Sequence, residues 1–312
     1  MRHLLQALQA LRALRALQAV AAGGAAFVFA QAAGADALSD SLHVVHLERG
    51  ADLSVIASKQ AGATPTVAVL LFAGYPGILN IRTENGALAY DLKGNFLIRA
   101  RRHLADADIF TVMVDCPSDE RGDCGDAYRA SARHAADVAA VAALARREPG
   151  ARQVYVAGTS YGTVSTAYLA RSLKGVLDGA IHTATFTDPQ TGRNAHGAAL
   201  ASFDWSRGQV PQLFVHHRDD PCALTRYASI VQRKGTIPLV TVTGSVNPHG
   251  DACQAYTEHG FVGREQAVMR AIAAWVMRRE VSDVGGGQVS GGKASGAQAG
   301  DAAARDGQAI GD

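Results

Sequence analysis

The sequence predicts a doubly wound, mostly parallel α/β sheet with helices on both faces, built as a single domain. Three observations predict it. From Thr66 onward, apolar runs of strand length alternate with helical patterns at βα spacing. The runs at 66–72 and 109–114 are apolar without alternation, which implies strands buried on both faces, as in a parallel sheet covered by helices. Third, the β-branched and aromatic stretch 153–157 leads into Gly158-Thr159-Ser160-Tyr161-Gly162 and then a helical pattern over 163–173, in the order strand, tight turn, helix.

The chain of 312 residues opens on Arg2, Arg12 and Arg15, ahead of an acid-free, alanine-rich apolar run at 20–30. Small residues then offer A-x-A sites at 30–32, 33–35 and 35–37, so 1–37 reads as a signal peptide and the protein as exported, periplasmic or secreted. The run falls short of the about 20 residues a spanning helix needs, so no stable membrane span is expected after cleavage. An amphipathic surface helix or an Arg-rich organellar presequence is the competing reading.

The domain is expected over 38–282. Segments 42–47 and 53–57 form an antiparallel edge hairpin around Arg49-Gly50, followed by the strand 66–72. The Gly-rich loop Ala73-Gly74-Tyr75-Pro76-Gly77 then stands at that strand's C-terminal end, where open α/β sheets hold ligands. An excursion over 78–95 carries turn signals at Glu84-Asn85-Gly86 and Lys93-Gly94-Asn95. Next come a helix at 96–105, a strand at 109–114, an alanine-rich helix at 126–147 stopped by Pro149-Gly150, and the strand and helix around Ser160. A strand at 176–182 precedes a polar stretch at 183–208, which reads as an active-site loop because no long apolar helix occurs there. Strand 212–216, helix 223–233, strand 237–243 and helix 263–279 complete the domain. Residues 283–312 are rich in Gly, Ser and Ala and cannot bury enough apolar surface to order, so a disordered tail is expected.

Hydrophobic residues make up 48% and charged residues 19% of the chain, enough for a sizeable core. A net charge of +2 with scattered basic residues leaves no nucleic-acid footprint, and the cluster Arg99, Arg101 and Arg102 reads as a solvated helix face. Cys116 and Cys124 bracket a short polar loop that a local bridge could close; the Cys and His spacings give no zinc site.

Gly-x-Ser-x-Gly fits a nucleophile elbow, in which a serine sits on a strained strand-to-helix turn. A serine hydroxyl needs an adjacent base, and the base an orienting carboxylate, in the chain order Ser, Asp, His for such an elbow. For Ser160 the acid belongs after strand 212–216. There Asp220, whose backbone Pro221 fixes, is preferred to Asp219. For the base, His259, directly before the last helix, is preferred to His249. His182, His196, His216 and His217 read as structural or loop residues, with His216 and His217 near enough to the acid to tune it. A Cys222–Cys253 bridge would tie the acid loop to the base loop. Backbone N–H groups of Tyr161 and Tyr75 are the candidate oxyanion donors, since Pro76 has none.

These residues resemble the α/β hydrolase superfamily over 66–279: the elbow at Ser160, the strand-end Asp-Pro at Asp220 and the His-Gly at His259. The loop at 73–77 is similar to the family's His-Gly-Gly oxyanion loop, with Ala73 in place of His and Tyr75 in place of Gly. The resemblance implies a serine hydrolase working by acyl transfer on a small-molecule ester or other acyl substrate, with no metal or organic cofactor required. A thioesterase, a peptidase or a non-catalytic binding protein of the same fold are the alternatives it leaves.

Overall fold

The structure, a computed structural model, describes residues 38–148, 150–188 and 197–285. The expected leader at 1–37, His196 and the tail from 286 lie outside the described residues. Strands β1 (Leu38–His46) and β2 (Asp52–Gln60) form the antiparallel edge hairpin, with Leu42 opposite Ile56. Both outrun their apolar cores because ladder bonds need only backbone groups, so pairing continues through Ser39, Asp40 and Lys59.

β3 (Val67–Phe72) begins the parallel part. The excursion behind it holds a separate two-stranded hairpin, β4 (Arg82–Glu84) and β5 (Ala87–Ala89), turning at Asn85 and Gly86, both with positive φ. β6 (Ile109–Val114), β7 (Gln153–Thr159), β8 (Gly179–Thr183), β9 (Gln212–His217) and β10 (Leu239–Val242) follow. The main sheet runs β1-β2-β6-β3-β7-β8-β9-β10, parallel from β6 onward. Successive connections leave β3 toward β6 on one side and return to β7 on the other. The C-terminal ends of β3 and β7 therefore flank the point where strand order reverses, the crevice in which such sheets bind ligands.

Among the described residues six α-helices cover the two faces: α1 (Phe96–Ala100), α2 (Asp126–Arg129), α3 (Ala132–Arg147), α4 (Gly162–Ser172), α5 (Tyr227–Arg233) and α6 (Glu265–Arg278). Alternate residues of β3 enter opposite cores. Val67, Val69 and Leu71 pack with α1 and α6, while Ala68, Leu70 and Phe72 pack with α3. A third cluster joins α4 to Phe186, Phe203, Trp205, Phe214 and Ile230.

Three expectations are corrected. The single helix at 126–147 is two, because Ser131 takes an extended backbone and its hydroxyl accepts from the His134 N–H, starting α3 afresh. The helix expected from 223 begins at Tyr227, because the preceding residues are wrapped around Asp220: Cys222 N–H donates to Oδ1 and the Thr225 hydroxyl to Oδ2. Arg99 and Arg101 are not a solvated face. Arg99 bonds Glu265 and the Gly94 and Gly260 carbonyls, tying α1 to α6, and Arg101 pairs with Asp40. Past the expected boundary at 282, the chain is still held to the sheet edge. Thr241 N–H donates to Asp283 Oδ1 and Thr243 N–H to the Val284 carbonyl.

Candidate active site

Ser160 follows β7 at φ 52°, a conformation that L-residues reach at a cost of about 1–3 kcal/mol and keep only where surroundings enforce it. Here the Ser160 N–H donates to the Thr183 carbonyl, and the Ser160 carbonyl accepts from the N–H and hydroxyl of Thr163. The flanking glycines are sterically required. A Cβ on Gly158 would run into the Gly162 carbonyl, and one on Gly162 into the Phe72 carbonyl of β3.

His259 lies in a short 3-10 turn, Glu258–Gly260, capped by the Thr257 hydroxyl. Its Nε2 is 3.0 Å from Ser160 Oγ and its Nδ1 3.1 Å from Asp220 Oδ2. Both side chains are nearly sealed from solvent, His259 at 5% and Asp220 at 0% exposure. Gly260 lets this turn close, since a Cβ there would strike the Ala255 carbonyl. Thr225 Oγ1 donates to Asp220 Oδ2 and stands 3.1 Å from His259 Nδ1, so it braces both groups; nothing in its sequence neighbourhood marks that role.

The two alternatives are not brought to the serine. His249 is exposed, donates from Nδ1 to the Asn247 carbonyl and stacks on Tyr256. Asp219 is 60% exposed beside Arg218. His217 bridges the Asp219 N–H and the Gly244 carbonyl. His216 accepts from the Thr185 N–H, and burial pushes its pKa down to about 4, a neutral ring beside Asp220 and His259 at neutral pH.

Tyr161 stands at the head of α4 and Tyr75 in the loop after β3, where the Tyr75-Pro76 peptide is cis. Their rings meet edge-on at 5.9 Å, and the Tyr161 ring also lies under the fully buried Arg129 guanidinium. Arg129 fills the space beside Gly77 and donates to the Cys124 carbonyl and the Ser165 hydroxyl, joining the 73–77 loop to α4. The α4 N-terminus carries the positive end of its dipole, which favours negative charge developing at Ser160.

Cys222 and Cys253 are bonded, Cα atoms 4.6 Å apart, as are Cys116 and Cys124. The first bridge borders a cavity of about 610 Å³ that opens over Ser160. Aromatic rings of Tyr75, Phe96, Phe186 and Tyr256 wall it, with the amides of Asn95 and Gln254 between them; Lys, Arg, Asp and Glu are missing from its described lining.

No protein-family model matches the chain, and no curated protein matches it in sequence. Its fold is shared with many solved structures. Est1E from Butyrivibrio proteoclasticus with ferulic acid bound is 13% identical at a TM-score of 0.52, covering 75% of this chain and 98% of that one. A lidless α/β serine hydrolase from Xanthomonas campestris is 17% identical at 0.50, covering 77% and 94%. The 2,6-dihydroxy-pseudo-oxynicotine hydrolase is 15% identical at 0.54, covering 80% and 72%. Likeness at such identities is likeness of fold, and with the strand order and the crevice between β3 and β7 it identifies this chain as having the α/β-hydrolase fold.

Proposed function

We propose that the protein is a serine hydrolase that cleaves carboxylic esters by acyl transfer. The observation that carries the reading is the unbroken relay from Ser160 Oγ through His259 to Asp220, at 3.0 and 3.1 Å, on the floor of a cavity. In this mechanism His259 Nε2 takes the hydroxyl proton as Ser160 Oγ attacks the carbonyl carbon. Asp220 holds Nδ1–H and stabilises the imidazolium. Backbone N–H groups of Tyr161 and Tyr75 receive the oxyanion, each worth about 3 kcal/mol in such sites. The imidazolium then protonates the leaving alcohol. Water, deprotonated by His259, attacks the acyl-enzyme, and collapse of the second tetrahedral intermediate releases the acid and restores the serine hydroxyl.

A cavity walled by rings and amides suits a neutral acyl group, which favours small esters over charged substrates. Thioester or peptide cleavage would follow the same steps with a different leaving group. Two disulfides fit maturation in an oxidising compartment, in accord with 1–37 as an export signal, and no helix among the described residues is long and apolar enough to cross a membrane.

Fluorophosphonate labelling and p-nitrophenyl ester hydrolysis test the reading on the parent and three variants. Ser160→Ala should lose labelling, and His259→Ala should lose at least about 10³-fold in kcat. His249→Ala should stay within about threefold of the parent, because its exposed ring bonds the Asn247 carbonyl and stacks on Tyr256 rather than reaching Ser160. Equal rates for Ser160→Ala and the parent would overturn the assignment.

A further inference from the structure

Asn95 stands where a helix N-cap would be, immediately before α1, yet its side chain caps no N–H of that helix. Its Oδ1 is buried without a hydrogen-bond partner. A buried acceptor left unpaired is a net cost to the fold, and in a native protein such a group calls for a reason outside stability. The other end of the amide supplies one. Asn95 lines the cavity over Ser160, and its Nδ2 lies 3.2 Å from the point a Cβ on Gly74 would occupy, with Ser160 Cβ 3.3 Å from that same point. Nδ2 and the Ser160 side chain thus crowd the same point beside Gly74, and all three residues line the cavity, which places a side-chain donor near the acyl group of an ester attacked by Ser160 Oγ.

We propose that Asn95 reads the acyl group: its amide donates to an oxygen substituent on C2 or C3 of the acyl chain, so that the site selects hydroxyacyl or alkoxyacyl esters over alkyl ones. This rests on the hydrolase reading above. In that reading the oxyanion is assigned to the backbone N–H groups of Tyr161 and Tyr75, so the Asn95 amide is left for the acyl chain. The walls at Phe96 and Phe186 give the rest of the acyl chain apolar surroundings, and an amide among them discriminates strongly because a substrate without the oxygen leaves it unpaired.

The test uses isosteric pairs of methyl esters followed by pH-stat: 3-hydroxybutanoate against 3-methylbutanoate, and 2-hydroxypropanoate against 2-methylpropanoate. The oxygenated-to-alkyl ratio of kcat/KM is compared between the parent and the Asn95→Leu and Asn95→Ala variants, which cancels intrinsic ester reactivity. The expected result is a fall in that ratio of about tenfold or more for at least one pair. Melting temperatures should hold within about 2 °C, since the amide bonds nothing in the fold. Ratios unchanged on both pairs, a proportional loss on all four esters, or a large drop in melting temperature would each overturn the proposal, the last two by making the amide an oxyanion or structural group. If the parent neither turns over any ester nor takes the fluorophosphonate label, the hydrolase reading falls and this inference with it; turnover with unchanged ratios sinks the inference alone.

Discussion

His134 is enclosed by Phe72 and Tyr128, in edge-on contacts with ring centroids 5.7 and 4.8 Å apart, with neither ring nitrogen hydrogen-bonded. Burial, with the nearby Arg129 charge adding to it, pushes its pKa down to about 3. His182 is pushed down to about 3 by burial against a hydrogen bond with Gln212, and His216 to about 4. In the unfolded chain each takes up a proton below about 6.5. Between there and about 4 the unfolded state thus binds more protons, and stability falls as pH is lowered through that window. By pH 5 each histidine accounts for about 2 kcal/mol of the loss. Replacing His134 with Leu should flatten the difference between urea unfolding at pH 7.5 and pH 5.0 by about that amount. An unchanged pH dependence would show that His134 titrates freely in the folded protein.

Gly162 illustrates what holds the β7–α4 element in its tight turn. A Cβ there meets the Phe72 carbonyl and comes within 2.8 Å of the Ala73 carbonyl, so α4 could not approach β3 closely enough to present Ser160. Gly162→Ala should cost about 3 kcal/mol or more, seen as a large fall in melting temperature or loss of soluble protein. Gly122→Ala, with nothing near its Cβ and no special φ, should stay within about 0.5 kcal/mol of the parent. Equal stability for the two variants would refute the steric account. The β9–α5 connection shows the same coupling between element and site, because the carboxylate that receives His259 also delays the helix to Tyr227.

Across the molecule, residues 99 apart in sequence, Ser160 and His259, meet through loops from different strands, and the Cys222–Cys253 bond fixes the loop of His259 to that of Asp220. With its ends separated by 31 positions, that crosslink restricts the unfolded chain by about 3.7 kcal/mol on the chain-entropy account, against about 2.5 kcal/mol for the Cys116–Cys124 bond with a separation of 8. The Cys222→Ala/Cys253→Ala double variant should therefore lose more melting temperature than Cys116→Ala/Cys124→Ala. It should also lose more ester turnover, because Cys222 N–H holds Asp220 and Cys253 borders the cavity. Full melting temperature and full turnover in that variant would remove the bridge from the account of the site.

The sequence by itself determined the sheet and the elbow. Unbroken apolar runs of strand length such as Val67–Phe72, alternating with helical patterns, imply strands covered on both faces, and the glycines at 158 and 162 stand where a Cβ would clash with backbone. For the partners of Ser160 it preferred Asp220 to Asp219 and His259 to His249, on the strength of the neighbouring Pro221 and of position before the last helix. Chain order says which loops carry the acid and base; only packing decides which side chain in each loop turns inward. The tertiary structure turned Asp220 and His259 in and left Asp219 and His249 in solvent. It alone disclosed Thr225, Arg129 and Asn95. Each owes its place to contacts with residues far along the chain, or to a missing contact, and none carries a local pattern that points to the site; Asn95 reads in sequence only as part of a turn.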